Sequence, residues 1–266
     1  MRDTQEFFLS LNIPICDVYG LSETSAPHTV NLPDSSRIGS AGRNLTGVRS
    51  KIAVLDNDGN GEICMYGRHV FMGYLGLRDE TQRTFDKENY FLSGDIGKFD
   101  QDGYLFITGR VKELLKTAGG EKIAPLALED NIKAELPIVS QAMVIGDKRK
   151  FLSVFLTLKT EMDIKSGKPL DTLTAPAQAW IEEKCKVSVT TLAQARYLDV
   201  LKKEIQRGID KANLKAQSNA QVVRKFLILP VDFSVPGGEL GPTLKLKRPS
   251  VVEKYADEIE ELYDGH

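Results

Sequence analysis

The run GRVKELLKTAGGEKIAP, from Gly109 to Pro125, divides this chain of 266 residues into two stretches of different character. It sets an Arg and a Lys two residues apart, then a paired glycine, where a short strand should pass into a new unit. Upstream the pattern is β-rich. Lys51 to Leu55 and Gly61 to Gly67 are short apolar or alternating runs around Asp56-Asn57-Asp58-Gly59-Asn60, a dense turn signal. Tyr90 to Asp100 and Tyr104 to Thr108 flank Gln101-Asp102-Gly103, and Asp-Gly between two such runs predicts a hairpin. Asp79 to Phe85 reads as a short helix. Phe7, Phe8 and Leu11 read as the end of an apolar helix face, and Ile13-Pro14-Ile15 as a buried strand entering a sheet. A helix end and a lone strand cannot bury their own apolar faces, so further chain is expected upstream.

Downstream of Lys112 the pattern becomes mixed α and β. Pro125 to Leu136 fits a helix with Pro at an early position. Val139 to Gly146 and Phe151 to Lys159 read as strands joined across Asp147-Lys148-Arg149-Lys150, and Lys165 to Thr174 as a polar loop. Leu198, Leu201, Ile205, Ile209 and Ala212 share one helical face. Val222 to Val231 predicts a third apolar strand, and Ser250 to Tyr263 a closing helix with an acidic face. The expected division is therefore residues 1–110 and residues 111–266, each of ordinary domain size.

Composition excludes several classes. Lys and Arg number 35 against 37 Asp and Glu, a net charge of −2, so no bulk pull toward nucleic acid is expected. Hydrophobic residues at 41% and charged residues at 27% suit a packed globular chain rather than a disordered one. Cys16, Cys64 and Cys185 form no CxxC pair, which disfavours a disulfide framework or zinc site and fits a reducing, cytoplasmic setting. No run approaches the roughly 18 apolar residues of a membrane span, and the N-terminus lacks the pattern of a signal peptide. Asn44-Leu45-Thr46 is a chance sequon in that setting. A Walker P-loop, GxGxxG, HExxH and GxSxG are all missing from the sequence.

Three segments, in one order, carry a family pattern: Tyr19-Gly20-Leu21-Ser22-Glu23-Thr24, Gly109-Arg110-Val111-Lys112, and Gly241-Pro242-Thr243-Leu244-Lys245-Leu246-Lys247-Arg248. Together they resemble the acyl-adenylate-forming enzymes. Gly67 to Leu75, Phe151 to Lys159 and Gly237 to Arg248 narrow the resemblance to the C-terminal portion of a bubblegum-type long-chain fatty-acid–CoA ligase, from about Ile13 to Tyr263. The resemblance implies a mixed α+β fold. Residues 1–110 would be the end of a large AMP-binding domain, closing in a small β-sheet or barrel, and residues 111–266 a mobile α+β lid.

Joining a carboxylate to a thiol is uphill until the carboxylate is activated, and ATP does this by forming an acyl-adenylate. The step needs a metal on the phosphates, a cation near the attacked phosphorus and groups that grip the ribose. Residue types supply candidates. Glu23 offers oxygen ligands to Mg²⁺. Asp95 can accept from ribose hydroxyls, Arg110 brings a fixed fork of donors, and Lys245 a compact charge for carboxylate and α-phosphate. By resemblance, Tyr19 lies against the adenine, Gly20, Leu21 and Ser22 shape the nucleotide pocket, and Thr24 contacts phosphate. Lys112 is the hinge, Lys245 the catalytic lysine of adenylation with Lys247 as fallback, and Gly119-Gly120 lines the path of the CoA thiol. Expected substrates are a long- or very-long-chain fatty acid, ATP and CoA, with Mg²⁺ as the metal and the lipid product favouring work near intracellular membranes.

Each role has a plainer competitor. Glu23 alone reads as a helix N-terminal carboxylate, Asp95 as a turn residue, Arg110 as a surface ion-pair partner and Gly119-Gly120 as a turn. Lys245, Lys247 and Arg248 read as a solvated basic run, and His28, His69 and His266 as isolated structural residues. Asn60-Gly61-Glu62 and Gly237 to Gly241 read as turns rather than dinucleotide loops. The family's Ser/Thr/Gly-rich phosphate loop is not among these residues, so catalysis by this chain alone is not expected. Two other readings stay open: a different adenylate-forming ligase, or a non-catalytic module that binds nucleotide or a partner ligase.

Overall fold

The computed structural model describes residues 2–54 and 59–264. Asp56, Asn57 and Asp58 of the expected turn, and His266, lie outside them. The chain divides into two compact units, Met1–Leu114 and Leu115–His266.

The first unit runs α1 (Arg2–Ser10), β1 (Val18–Leu21), β2 (Ala26–Val30), β3 (Arg43–Asn44), β4 (Arg49–Val54), β5 (Gly61–Tyr66), α2 (Arg78–Thr84), β6 (Phe91–Phe99) and β7 (Leu105–Arg110). Strands β1 to β3 form one antiparallel sheet and β4 to β7 a second, each in chain order. The second sheet is open, with β4 and β7 at its edges, rather than a barrel. Its β6–β7 hairpin turns where the sequence signal put it: the Asp100 carboxylate accepts from Asp102 N–H at 3.0 Å and Tyr104 N–H at 2.9 Å. Ile63, Met65, Phe91 and Leu105 bury one face of this sheet together with Tyr19.

Two readings need correction here. Ile13-Pro14-Ile15 forms no ladder, and pairing begins only at Val18; Pro14 has no N–H to offer a neighbour, and Ile13 is half exposed. Gly61 and Glu62 open β5 rather than a turn, opposite Val54 and Ala53.

The second unit runs β8 (Leu115–Lys116), β9 (Lys122–Ile123), α3 (Pro125–Glu135), β10 (Val139–Ile145), β11 (Leu152–Leu158), β12 (Thr160–Met162), β13 (Pro169–Leu173), α4 (Ala175–Cys185), α5 (Leu192–Ala195), α6 (Asp199–Asn213), β14 (Val223–Ile228), α7 (Arg248–Lys254) and α8 (Ala256–Tyr263). The central sheet has the order β10-β11-β14, antiparallel and then parallel. Every residue of β11 is buried, as a central strand covered on both faces requires. Leu152, Val154, Leu156 and Leu158 join a core with Ile132, Ile181, Leu201, Ile205 and Ile209, while Phe155 joins another with Val251, Tyr255 and Ile259. Of the expected apolar face, Leu201, Ile205, Ile209 and Ala212 line the buried side of α6, and Leu198 immediately precedes it.

The polar loop read over Lys165 to Thr174 is in part a strand: β13 pairs with β12 in a two-stranded ribbon. A ribbon with both strands at an edge tolerates Pro169 at its start. Within β13 only Leu173 is buried, so the period-2 apolar signal is weak. The closing helix is two helices, broken at Tyr255 (φ −115°, ψ 34°). Bonds from Tyr255 N–H to Val251 and from Ile259 N–H to Tyr255 span the break, so the buried stripe Val251, Tyr255, Ile259 continues at helical spacing.

Candidate functional site

Strand β1 delivers Tyr19 and Gly20 into a single 3₁₀ turn, Ser22 to Thr24. Gly20 has to be glycine, because a Cβ there would stand 1.8 Å from the Ala26 carbonyl oxygen across the β1–β2 ladder. The turn ends in two left-handed residues, Ser25 (φ 50°) and Ala26 (φ 86°), a region that favours glycine. Thr24 braces it. Its hydroxyl accepts from Leu21 N–H at 2.9 Å and lies 3.0 Å from the Leu21 and Ala26 carbonyls, fully buried. The side chain expected at phosphate is thus spent on holding the turn's own backbone.

Glu23 stands on the outer side of this turn, half-buried. The Tyr74 hydroxyl donates to its Oε1 at 2.8 Å. Phe71 N–H donates to the Glu23 carbonyl at 2.8 Å and Ser25 Oγ to the His69 carbonyl at 3.0 Å, so residues 69–74 clamp the turn at three points. Burial and the Glu23 carboxylate raise the Tyr74 phenol above its ordinary value, which keeps it a donor.

Behind the clamp lies a pair the sequence did not reveal. Ser50 Oγ donates to Asn44 Oδ1 at 2.8 Å, so it accepts from His28 Nε2–H at 2.7 Å. His28 Nδ1 then accepts from His69 Nε2–H at 2.9 Å. His69 Nδ1 ends the chain, buried and without a partner among the described residues. A Cβ on Gly67 would press on that nitrogen at 2.7 Å. Burial, then the facing His69, pushes His28 down to about 4, and burial lowers His69 as well, so both rings are neutral near pH 7. The two histidines lie 41 residues apart, and no spacing rule could have joined them.

The third group is Tyr19, Asp95 and Arg110. Asp95 on β6 pairs directly with Arg110 on β7. Its buried carboxylate accepts from Tyr19 Oη at Oδ2 and from Arg110 Nε at Oδ1, both at 2.8 Å. Burial, and then the Asp95 charge, hold the Tyr19 phenol far above its usual value. The bond to Asp95 raises Arg110, whose side chain stays about half exposed. Tyr19 itself is buried at 8% exposure, so only a margin of its ring is open to a ligand.

The other candidates lie at or beyond the division between the units. Lys112 is exposed in a 3₁₀ turn, Val111 to Glu113. Gly119 and Gly120 are exposed in the turn that closes the β8–β9 ribbon, where Gly120 N–H donates to the Thr117 carbonyl at 2.8 Å. Lys245 is exposed in a tight loop of the second unit. Lys247 is exposed nearby, but Arg248 is not part of a solvated run: its side chain turns inward onto buried Glu129.

Among the described residues no three His, Cys, Asp or Glu side chains gather as a metal cage. Mg²⁺ does not need one. It keeps several waters and takes one or two carboxylates plus substrate phosphates, a demand that Glu23, held by Tyr74 through one oxygen, fits.

A family model described as an AMP-binding enzyme matches residues 1–75, and the model of the AMP-binding enzyme C-terminal domain matches residues 112–188 and 181–266. The chain belongs to the AMP-binding enzyme family. Curated relatives at 44–50% identity are named long-chain-fatty-acid–CoA ligases of the bubblegum type. ACSBG2 of Xenopus laevis is 50% identical over 98% of this chain, and ACSBG2 of Homo sapiens is 46% identical over 98%. ACSBG1 of Mus musculus is 45% identical over the same share. The chain spans 36% of the frog protein and 40% of the human one. Solved AMP-binding enzymes share its fold. The adenylation domain of a carboxylic acid reductase from Segniliparus rugosus, solved with AMP and a carboxylic acid, superposes with a TM-score of 0.70, at 21% identity over 98% of this chain and 37% of its own. O-succinylbenzoate–CoA synthetase from Bacillus subtilis, solved with ATP and magnesium ion, gives 0.62 at 21% identity over 93% of this chain and 43% of its own.

Proposed function

We propose that these residues serve, within a chain of the relatives' length, in the ATP-dependent conversion of a long- or very-long-chain fatty acid to its acyl-CoA. In the first step a carboxylate oxygen of the fatty acid bonds to the α-phosphorus of ATP, and the bond to the departing pyrophosphate breaks. In the second the CoA thiolate attacks the acyl carbon and AMP leaves. The observation that carries this reading is the Tyr19–Asp95–Arg110 group, a buried carboxylate fixed between a phenol and a guanidinium. Such a carboxylate is oriented in advance to accept from a ribose, with the fork of Arg110 beside it.

Glu23, steadied by Tyr74, holds Mg²⁺, which neutralises phosphate charge. Gly20, Leu21 and Ser22 shape the adenine side, and the buried Thr24 supports the turn from within. Lys245 meets the carboxylate and α-phosphate, and Lys112, two residues before the division of the units, is the hinge. Gly119 and Gly120 give the thiol a path without side chains. The relatives' names favour long-chain acids over aryl acids or amino acids. The test is ATP–pyrophosphate exchange by the full-length protein with long-chain fatty acids. Exchange that requires the acid supports the reading, and none sinks it.

A further inference from the structure

The loop that bears Lys245 is tied at its base by a buried ion pair whose other member, Glu129, is remote from the loop in sequence. Gly241 N–H donates to the Lys245 carbonyl and Leu244 N–H to the Gly241 carbonyl, both at 2.8 Å, closing a tight turn with Leu244 left-handed (φ 59°). A bridge between Leu240 and Leu246 forms its stem, and Leu240 sinks into the core beside Phe155 and Val251. The turn therefore presents an exposed Lys245 on a stem rooted in the unit's core.

Three residues beyond Lys245, Arg248 opens α7 and points inward. Its two terminal nitrogens donate to Glu129, at 2.8 Å to Oε1 and 2.5 Å to Oε2. The side chains are only 13% and 4% exposed. Glu129 Oε1 also accepts Val144 N–H, on the edge strand β10, at 2.7 Å. One carboxylate thus joins α7, α3 and β10, and a guanidinium fork fixes angle as well as distance, as an ammonium would not. The stem has a second tie: Lys247 N–H donates to the Glu239 carbonyl at 2.7 Å, and buried Glu239 pairs with Lys254. Lys254 is half exposed, so that tie is the looser of the two.

We infer that Glu129 and Arg248 are positioning residues that set where Lys245 stands in the lid; this rests on the adenylation role proposed for Lys245. Glu129 lies on the helix that follows the Gly119-Gly120 turn by a few residues. The Arg248–Glu129 and Glu129–Val144 bonds thus tie the lysine loop to α3 and β10 rather than to the β8–β9 turn of the proposed thiol path, and only the first half-reaction needs the lysine in place.

The experiment compares Arg248→Lys and Glu129→Gln with wild type in the full-length protein. Pyrophosphate release reports adenylate formation, and thioester formation from supplied acyl-AMP and CoA reports the second half-reaction. A misplacement near 1 Å costs about 100-fold, so the expected result is a 10- to 100-fold fall in kcat for adenylation. The KM for ATP should move about 2-fold or less, and thioester formation should stay within about 2-fold. A purely structural role would reduce the folded fraction and lower both half-reactions together; that result, or no change in either, overturns the inference. Should the single variants fail to fold, the double variant Glu129→Met with Arg248→Met leaves no buried lone charge and carries the same comparison. Wild-type protein that forms no adenylate overturns the lysine's proposed role instead.

Discussion

The hydroxyl of Tyr19 donates to Asp95 Oδ2 at 2.8 Å, joining β1 to a residue 76 positions later. The bond spans two separate sheets of the first unit and leaves Asp95 Oδ1 to Arg110. Tyr19→Phe removes the donor and leaves one carboxylate oxygen without it. The expected cost is about 1 kcal/mol of stability with a several-fold rise in the KM for ATP. Asp95→Asn should raise that KM further, by about 10-fold or more, because it also removes the charge facing Arg110. Thermal melting and initial-rate kinetics on the full-length protein check both, and an unchanged KM in both variants would remove this group from the nucleotide site.

Lys245→Ala should lower adenylate formation by about 100-fold or more, the scale of losing one preorganised charge at a reacting centre. Thioester formation from supplied acyl-AMP should persist. Equal loss of both half-reactions would refute the division of labour.

Tyr74→Phe frees the held oxygen of Glu23 without touching its charge. Adenylation should then need several-fold more Mg²⁺ for half-maximal rate, while the rate at saturating metal changes little. A magnesium titration of the two proteins decides it, and superimposable curves would mean that Tyr74 contributes packing alone.

His28 supplies a pH dependence whose sign is fixed. Its ordinary value is near 6.5 and burial brings it to about 4 in the fold, so between these the unfolded chain holds the proton and the folded chain does not. Stability is therefore present above pH 6.5 and lost as pH falls toward 4, by up to about 1.4 kcal/mol per pH unit. His28→Gln should flatten melting temperature against pH across that window. A curve as steep as wild type would place the acid sensitivity elsewhere.

Much of this architecture was legible in local pattern. The Asp-Gly hairpin, the early proline of α3 and the apolar face of α6 each follow from a few neighbouring residues, and each formed. The family segments were legible as well, since each is short and contiguous. What could not be read was contact across the chain. Nothing near Glu129 marks it as the partner of Arg248, 119 positions away. Basic neighbours in sequence suggested solvent for Arg248, whereas the fold turned it inward and left Lys245 and Lys247 outside. The resemblance assigns Thr24 to phosphate, and nothing in its neighbours announced that its hydroxyl would also brace the turn ahead of the left-handed pair Ser25 and Ala26. Ile13-Pro14-Ile15 looked like a strand because it is apolar and short, but a strand exists only with a partner to pair with.

Each described sheet is built wholly from residues on one side of Leu114. A protease that nicked the exposed turn at Val111 and Lys112 would therefore sever no rung of any ladder. Both halves would keep their sheet hydrogen bonding, so a nicked protein can stay folded piece by piece while losing only the covalent link between the halves.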